Sequence, residues 1–449
     1  MKLLTFRGGV HPPEEKKLAQ HKAIETLPLP ERVFVPLSQH TGAPAKPVVK
    51  KGDEVKKGQL IAEPAGFISA GIHSPVAGVV KNITDYPHPF GNLQPAIEIE
   101  VKGEQELESG LEPIPDFENA DPEKLKERVK QAGIVGMGGA TFPTYVKLSP
   151  PEGKIIDTVI LNGAECEPYI TADHRLMLEK PEKIIGGLKI IMKILGVKQA
   201  FIGIEVNKPD AIVKMENLVQ DLSGVNVIVL KVKYPQGAEK QLIKAILGRE
   251  VPSGGLPMDV GALVQNVGTA CAIYEAVAEG KPLIERVVTV TGQAINEPKN
   301  LLVPIGTPIQ NLIDYCGGFS ARPGKVILGG PMMGLAQSSL DVPVIKGTNA
   351  VLVMRDDEVD LTSPGPCIRC GRCVRNCPMN LLPGIIGLFV RKDRIEEAEE
   401  LRVMDCIECG CCAYGCPSHI PLVQLFRYAK SEIIKKRKKA QAKKQEEKK

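Results

Sequence analysis

The sequence predicts a multidomain α/β protein, and three observations support this fold class. The chain has 449 residues with 43% hydrophobic content, enough for about three domains with a sizeable core. Apolar runs alternate with helical patterns over residues 118–280, which is typical of a parallel sheet with helices on its faces. Nine of the 12 cysteines lie in residues 367–416, which in a cytosolic protein indicates metal binding rather than disulfides.

Hydropathy and charge argue against two classes of protein. No apolar run approaches the roughly 20 residues that span a bilayer, and the first residues, MKLLTFRGGVHPPEEKK, lack the apolar stretch of a secretory signal. We therefore expect a cytoplasmic chain. The net charge of +4 is local, because residues 435–449 carry nine Lys or Arg and two Glu, which leaves −3 for the remainder. The body of the chain is therefore not expected to bind nucleic acid.

After an N-terminal segment at 1–32, residues 33–105 predict a small β-sandwich. Two strand-rich halves, VVKKGDEVKKGQLIAEP and GIHSPVAGVVKNI, are separated by turn residues. They resemble a lipoyl/biotinyl-like hammerhead domain, but the tip between them, AGFISAGIH, has no attachment lysine. We expect a packing or docking module without covalent lipoyl or biotin, with a cofactor carrier as the alternative.

The α/β domain predicted at 118–280 begins with a well-marked helix, DPEKLKERVKQAG. Asp121 is the expected N-cap, Pro122 takes the first helical position, and Gly133 ends the helix, with Leu125 and Val129 on its apolar face. The segments that follow are an apolar run at 154–161, a helix at 183–195, an apolar run at 199–206, a helix at 210–222 and another segment at 225–232.

Residues 285–345 predict a β-grasp module. The stretch RVVTVTGQAINEPKNLLVPIGTPIQNLIDYCGGF reads as two strands and a helix that Thr307 caps and that stops at Gly317 and Gly318. It resembles the soluble-ligand-binding β-grasp (SLBB) domain. A purely structural role and a ligand site are both open for this module.

An internal repeat dominates residues 360–430. CIRCGRCVRNCP begins at Cys367 and CIECGCCAYGCP at Cys406, and each copy is C-x2-C-x2-C-x3-C-P. Three closely spaced thiolates can hold three irons of a 4Fe-4S cubane, while the fourth iron takes its ligand from elsewhere. We therefore predict an α-helical ferredoxin-type domain with two 4Fe-4S clusters and crossed ligands. The two sets are Cys367, Cys370, Cys373 with Cys416, and Cys406, Cys409, Cys412 with Cys377.

Zinc is the alternative for this region, because C-x2-C is also zinc spacing. Cys411 has no slot in the repeat, and we expect a small buried hydrophobe or spare thiol, as for Cys166, Cys271 and Cys316. The stretch 381–404 predicts a helical hairpin that separates the two cysteine loops.

The C-terminal residues combine an amphipathic stretch with a basic tail. IPLVQLFRYAKSEII is expected to pack on the cysteine domain, with membrane contact as the alternative. Residues 431–449 predict a disordered basic tail, which is either solvated or in contact with anionic lipid.

A second set of motifs lies upstream, in the α/β domain. GIVGMGGATFPTYVKL places Gly136, Gly138 and Gly139 where backbone N–H groups could approach a phosphate or a flavin ring, although a plain chain reversal is the alternative. VILNGAECEPYITAD is an apolar strand that ends in a polar cluster, at the edge where parallel sheets bind ligands. Further candidates follow in YPQGAEKQLI and LVQNVGTA. The polar candidates are Asn162, Glu165, Glu167, Gly237, Glu239, Asn266 and Thr269.

These motifs resemble the flavin-binding core of the flavoprotein subunit of respiratory complex I over about 150 residues. The resemblance implies FMN contacts from Gly136, Gly138, Gly139, Lys147, Asn162 and Asn266, and NADH contacts from Phe142, Glu167 and Glu239. Ala164, Ala238 and Gly268 depart from that family's acidic residues, which affects how the nucleotide would be oriented.

From end to end, with FRGGVHPPEEK at residues 6–16, the chain resembles the RnfC family of the Rnf ion-translocating electron transport complex. The resemblance implies a peripheral subunit on the cytoplasmic side of the cell membrane, with NADH or NAD+ as substrate, membrane subunits as partners, ferredoxin as an indirect partner, and Na+ or H+ as the transported ion. FMN would convert two-electron hydride transfer into single-electron transfer to the clusters. The alternatives are a cobalamin reductase of the same plan and an electron-relay scaffold without flavin.

Overall fold

The computed structural model describes the backbone of residues 3–446 and the side chains of residues 3–441. Its N-terminal segment holds one short 3-10 turn, Lys16–Leu18, and strand β1, Ile24–Thr26. A β-sandwich follows, made of sheets in the orders β2-β8-β7-β4 and β3-β5-β6. Its strands are β2 Arg32–Pro36, β3 Lys46–Pro47, β4 Glu54–Val55, β5 Leu60–Glu63, β6 Ile72–His73, β7 Gly78–Pro87 and β8 Leu93–Val101.

Alternate residues of these strands point inward, as the two-residue period of a strand requires. Val33 and Val35 of β2 pair with Ile99 and Ile97 of β8, and all four side chains are fully buried. This apolar layer forms the core of the sandwich.

The α/β unit is built on a parallel sheet in the order β11-β10-β9-β12. Asp121 accepts a hydrogen bond from Glu123 N at the start of its first helix, and Leu125 and Val129 are fully buried, as the sequence predicts. The elements are α1 Pro122–Gln131, α2 Thr144–Lys147, β9 Thr158–Gly163, α3 Ala172–Glu179, α4 Pro181–Leu195, β10 Gln199–Glu205, α5 Pro209–Val219, β11 Val225–Leu230, α6 Glu239–Leu247, β12 Ala262–Asn266 and α7 Val267–Ala278.

The third unit is a six-stranded sheet in the order β1-β14-β13-β17-β15-β16. It extends beyond the predicted limits of 285–345, because β1 pairs with its edge strand and β17 lies between β13 and β15. Neither contact is local in sequence. The elements are β13 Glu285–Thr291, β14 Lys299–Pro304, α8 Ile309–Tyr315, β15 Pro323–Leu328, β16 Leu335–Gln337 and β17 Ala350–Arg355.

The predicted cap of α8 is wrong. Pro308 takes the N-cap position, and the Thr307 hydroxyl instead donates to the carbonyl of Pro304 at 2.8 Å. A threonine hydroxyl can satisfy a nearby carbonyl as readily as a helix N–H, and here the tight turn after β14 captures it.

The cysteine domain contains helices only. Two of them, α10 and α11, fill the stretch predicted as a helical hairpin. Leu422, Phe426 and Ile433 of α13 are buried on this domain, so the amphipathic stretch packs on it as predicted. The helices are α9 Arg372–Asn376, α10 Pro383–Arg391, α11 Ile395–Glu400, α12 Cys411–Tyr414 and α13 Leu422–Glu446.

The basic tail differs from the predicted disorder, because α13 continues to Glu446. Lys436 pairs with Glu396 at 2.7 Å and Arg437 with Glu399 at 2.6 Å, which ties this helix to α11. Beyond these pairs the residues are mostly Lys, Ala and Gln, which are strong helix formers. Residues 447–449 of the predicted tail lie outside the described residues. Among residues 3–446, no helix is long and apolar enough to cross a membrane.

Candidate functional site

The parallel sheet has a topological switch point between β9 and β12. The chain runs from β9 through β10 to β11 on one side and then returns to place β12 on the other side of β9. Ligands bind in the crevice at the carboxyl ends of strands that diverge in this way. Asn162 and Asn266, both predicted site residues, are direct register partners at this edge.

Both asparagines also tie the crevice together. Asn266 Oδ1 accepts from Gly268 N at 2.8 Å and caps α7, and its Nδ2 donates to Asp173 Oδ2 at 2.6 Å. Asn162 Nδ2 donates to the carbonyl of Gly237 at 2.7 Å. Sequence reasoning predicted these residues as ligand contacts, and in the structure they hold the loops around the crevice.

The glycine-rich loop lies over the start of α7. Met137 N donates to Thr269 Oγ1 at 2.9 Å, and Gly136 N donates to the carbonyl of Phe142 at 2.9 Å. Gly139 has a φ of +112°, which disfavours any residue with a Cβ, and no heavy atom lies within 4 Å of where that Cβ would be. Gly138 faces Asn266, at 3.4 Å from its nearest side-chain atom. The loop therefore presents bare backbone to open space, which fits a flat ring or a phosphate.

Two further predicted residues form an ion pair at the crevice. Lys147 Nζ, at the end of α2, lies 2.7 Å from Glu239 Oε1 at the start of α6, and it also donates to the carbonyl of Val264 at 3.1 Å. Both side chains keep about a third of their surface exposed, at 28% and 36%. Phe142 is half-buried nearby in the chain. These groups remain accessible to a ligand that enters the crevice.

Glu165 and Glu167 turn inward instead. The Glu165 carboxylate accepts from Asp173 N at 2.6 Å and His174 N at 3.3 Å, which caps α3. Glu167 Oε1 accepts from Met332 N at 3.0 Å and Met333 N at 2.8 Å. Burial raises the pKa of each carboxyl group to about 7. Glu167 Oε2 is buried and has no hydrogen-bond partner among the residues that the structure describes, so it is available to a bound group.

A buried lysine that sequence reasoning missed supports this acidic turn, residues 164–170. Lys16 Nζ donates to the carbonyls of Glu165 at 2.9 Å, Glu167 at 3.0 Å and Ile170 at 2.6 Å. Burial lowers the pKa of Lys16, and the nearby Glu165 carboxylate opposes that effect. No local pattern marks Lys16, because it lies roughly 150 residues from its partners.

Arg286, on β13, is a second missed residue. Its side chain is buried, and its guanidinium donates to the carbonyl of Met137 in the glycine-rich loop at 3.3 Å and to the carbonyl of Lys346. Burial lowers the pKa of Arg286 to about 10, and the nearby Asp173 carboxylate opposes that effect. The third unit therefore contributes a cation beneath the crevice of the second.

The cysteines fall into two groups of neighbours. Cys377 lines one cavity together with Cys406, Cys409 and Cys412, and Cys411 also borders it. Burial raises the pKa of the Cys406 thiol to about 11, and the neighbouring Cys409 and Cys377 add to the shift. A buried set of thiols drawn from both copies suits an iron–sulfur cluster.

The other group is more open. Cys367 and Cys370 are exposed, and burial raises the pKa of Cys373, to which Cys367 and Cys416 add. The two groups match the two predicted ligand sets in membership, and the ligand assignment itself stays a prediction.

The unassigned cysteines are mostly buried. Cys411 is fully buried, and its thiol donates to the carbonyl of Tyr234 at 3.8 Å. Cys271 and Cys316 lie in apolar cores. Cys166 is half-buried, and its Sγ accepts from Gly237 N at 3.2 Å.

The crevice and the buried cysteine cavity are neighbours. Tyr234, Cys409 and Cys411 share one apolar cluster, with Cys166 and Met332 packed against it. Met332 also connects the two, because its N–H binds Glu167 and its carbonyl lies 2.8 Å from the position of a Cβ on Gly410. The acidic turn and the second cysteine loop are thus in contact through a single layer of side chains.

Four protein families match this chain in the order of its units. Residues 4–104 match the RnfC barrel sandwich hybrid domain, 129–275 the Nuo51 FMN-binding domain, 287–336 the SLBB domain and 366–420 the 4Fe-4S dicluster domain. These matches confirm the two predicted kinds of resident cofactor, FMN and 4Fe-4S clusters. They also confirm the fold class in outline as a mixed α/β chain with these domains.

Several proteins are similar along nearly the whole chain, and each is the subunit designated C of its complex. That of the proton-translocating ferredoxin:NAD+ oxidoreductase complex of Clostridium ljungdahlii is 54% identical over 96% of this chain and 94% of its own length. The corresponding protein of the Na+-translocating complex of Acetobacterium woodii is 48% identical over 97% of this chain and 98% of its own. That of an ion-translocating oxidoreductase complex of Rhodobacter capsulatus is 46% identical over 96% and 83%.

Among solved structures, an NAD+-reducing [NiFe]-hydrogenase in the H2-reduced state is similar in fold. The match has a TM-score of 0.50 and 18% identity, and it covers 70% of this chain and 63% of the hydrogenase chain.

Proposed function

The chain belongs to the RnfC family of ion-translocating ferredoxin:NAD+ oxidoreductase complexes, and from this premise we propose the roles of its residues. It exchanges hydride with NAD(H) through FMN and relays single electrons through two 4Fe-4S clusters within a membrane-bound complex that translocates Na+ or H+. Its place is peripheral, on the cytoplasmic side of the membrane. Other subunits carry the ions, and ferredoxin reacts with the complex elsewhere.

One observation carries this proposal: the flavin crevice and the buried cysteine cavity share the layer formed by Tyr234, Met332 and Cys411. A flavin accepts two electrons as hydride and releases them singly, so it can join NADH to one-electron clusters. Direct packing of the two sites leaves no intervening domain for the electron to cross.

The residues at the crevice have distinct parts in this proposal. The bare backbone of Gly136, Gly138 and Gly139 admits the flavin, and Asn162 and Asn266 hold the strand ends that shape its bed. The accessible Lys147–Glu239 pair stands at the mouth of the crevice, where Lys147 can bind the flavin phosphate and Glu239 the dinucleotide.

The remaining predicted contacts act around the dinucleotide. Phe142 offers a half-buried ring for stacking, and the unpaired Oε2 of Glu167 can accept a hydrogen bond. Glu165 and Gly237 keep the two turns in place, through the cap on α3 and the bonds to Cys166 and Asn162. Thr269 fixes the glycine-rich loop through Met137.

The exposed cysteine group is the exit of the electron path. Cys367 and Cys370 lie at the surface, and Ile368 between them is 65% exposed. An exposed cluster loop with an apolar tip is suited to contact another protein of the complex. The cluster on Cys367, Cys370, Cys373 and Cys416 would therefore face the complex, and the cluster on Cys406, Cys409, Cys412 and Cys377 would face the flavin.

Anaerobic spectroscopy tests the proposed function directly. We expect the purified, iron-loaded chain to bind FMN, and NADH to bleach first the flavin absorbance and then the broad cluster absorbance. A chain that takes no FMN, or whose clusters stay oxidised under NADH, would be a relay scaffold instead. Metal analysis that finds zinc in place of iron would support the zinc alternative.

Lys147→Gln tests the proposed flavin contact. Loss of a charge-assisted hydrogen bond costs about 1.5–3 kcal/mol, so we expect FMN to bind roughly ten- to a hundredfold more weakly. Quenching of FMN fluorescence by the flavin-free chain measures this affinity. Lys154→Gln is the matched control, because Lys154 also pairs with a carboxylate at 2.7 Å but precedes β9, at the amino-terminal edge of the sheet. Equal affinities for the two variants would remove Lys147 from the site.

A further inference from the structure

The segment from Leu4 to Lys16, which we call the N-terminal strap, crosses both redox domains. Leu4 forms a parallel bridge to Leu230 at the end of β11. Val10 and Tyr234 then exchange two backbone hydrogen bonds, of 2.8 and 2.9 Å. The strap therefore runs along the same residue that separates the flavin crevice from the buried cysteine cavity.

The carboxyl end of the strap holds the acidic turn. Lys16 satisfies three carbonyls of that turn from within the protein, and the carbonyl of Glu14 accepts from Tyr169 N at 2.8 Å. A lysine whose donors are all used by one turn, with only 5% of its surface exposed, restrains that turn strongly.

The amino end of the strap meets the cysteine domain. Gly9 N donates to the carbonyl of Asn376 at 2.9 Å. A Cβ on Gly8 would lie 2.8 Å from the Cys377 carbonyl oxygen, and a Cβ on Gly9 would lie 2.5 Å from the Tyr234 carbonyl oxygen. Their φ values are +82° and +80°, a region that favours glycine. The Gly8–Gly9 pair thus lets the strap lie directly on the backbone of Cys377.

We propose that the N-terminal strap is a positioning element that fixes the cluster on Cys377 at its working distance from the flavin crevice. This inference rests on the proposed function. The step that it controls is transfer of one electron from the NADH-reduced flavin to the oxidised cluster, with no bond made or broken at the cluster. The strap connects the acidic turn through Lys16, the intervening Tyr234 through Val10, and the cluster loop through Gly8 and Gly9.

Contacts outside the strap keep the cysteine domain attached when the strap is altered. Gln241 Nε2 donates to the carbonyl of Pro378 at 3.2 Å, and Ser253 Oγ lies 2.5 Å from Asp405 Oδ2. A side chain inserted at Gly8 should therefore displace the domain rather than release it.

Gly8→Ala is the principal test, and Gly91→Ala is its matched control. Gly91 has nearly the same φ, +83°, but no heavy atom within 4 Å of a Cβ, so it reproduces the backbone strain without the clash. In stopped-flow experiments on the full chain with both cofactors, we expect Gly8→Ala to leave flavin reduction by NADH unchanged. Cluster bleaching should slow by about tenfold to a hundredfold, the range for a small misplacement of reacting groups.

Hydrogen–deuterium exchange supplies a readout that does not depend on activity. In Gly8→Ala we expect faster exchange at residues 8–10 and 376–378, with the protection of the β-sandwich unchanged. Gly91→Ala should exchange as the unaltered chain does at residues 8–10 and 376–378. If Gly8→Ala does not fold, Val10→Pro removes the N–H that binds Tyr234 and inserts no side chain toward Cys377, and it should show the same slowed bleaching.

Two results would overturn the proposal. One is rapid cluster bleaching in Gly8→Ala or Val10→Pro with exchange at 376–378 increased, because the contact would then be broken without consequence. The other is equal slowing in Gly91→Ala. If the unaltered chain itself shows no flavin reduction or cluster bleaching, the proposed function fails, while the exchange experiment still tests whether the strap holds the cysteine domain.

Discussion

Cys377→Ala should abolish the cluster of the second cysteine copy and leave that of the first copy intact, although Cys377 belongs to the first copy in sequence. Cys377 lines the same cavity as Cys406, Cys409 and Cys412, so its loss removes the fourth thiolate from that set. We expect about half of the iron to be lost, since each 4Fe-4S cluster requires four cysteine ligands here. Iron analysis and electron paramagnetic resonance of the dithionite-reduced chain measure the loss.

Comparison among variants identifies which cluster has gone. Cys409→Ala should lose the same resonance signal as Cys377→Ala, and Cys370→Ala should lose the other one. Cys316→Ala is the matched control, because this thiol is fully buried in the third unit, away from the cysteine domain. A Cys377→Ala spectrum that matches Cys370→Ala would show that each copy holds its own cluster.

Much of the architecture could be predicted because its signals are local. The helix at α1 carries its N-cap, proline and apolar face within ten residues, and the structure reproduces them. The two cysteine copies are informative for the same reason, since the repeat C-x2-C-x2-C-x3-C-P is complete within each. Parallel-sheet order also follows from alternation of strands and helices, which placed Asn162 and Asn266 near a ligand edge.

The parts that sequence reasoning missed are contacts between distant segments. Lys16 reaches the acidic turn, Arg286 reaches the glycine-rich loop and β17 enters the centre of a sheet whose predicted limit was residue 345. A lysine or arginine in a polar stretch has the same local appearance whether it is solvated or buried. Only the fold shows that its partners are backbone carbonyls.

The tail shows the converse error. Its composition predicts disorder because it cannot bury apolar surface on its own. In the structure it extends a helix that is already anchored through Ile433 and through the pairs with Glu396 and Glu399. Helix propagation from an existing helix requires no new nucleus, so a strongly helix-forming sequence continues it.

The acidic turn is held from both sides by buried cations, and the second of them gives a large expected effect on stability. Lys208 Nζ donates to the carbonyl of Ala164 at 2.7 Å and lies 3.6 Å from Glu205 Oε2, and both charged side chains are only 1% exposed. The Glu205 carboxylate also accepts from Lys233 N at 3.1 Å. Lys208 therefore compensates a buried charge and anchors the turn at the same time.

Lys208→Met should destabilise the α/β domain by about 3–5 kcal/mol, because it leaves Glu205 buried without its cation. For a domain of this size the unfolding midpoint should fall on the order of 10 °C, measured by circular dichroism in thermal unfolding. Lys189→Met is the control. Lys189 pairs with Glu118 at 2.9 Å at the surface, and such pairs contribute only about 0–1 kcal/mol.

The pH dependence of the Lys208→Met variant identifies the cause of its loss of stability. Burial raises the pKa of Glu205 in the folded chain, while the unfolded value is about 4.3. A carboxyl group whose pKa is raised by folding binds its proton more tightly in the folded state, so the penalty is relieved as the pH falls toward the unfolded value. Lys208→Met should therefore regain stability between about pH 7 and pH 5 relative to the unaltered chain, and Lys208→Met/Glu205→Gln should be less sensitive to pH over that range. If Lys208→Met is equally destabilised at both pH values, the cost lies in the lost anchor at Ala164 rather than in the unpaired carboxylate.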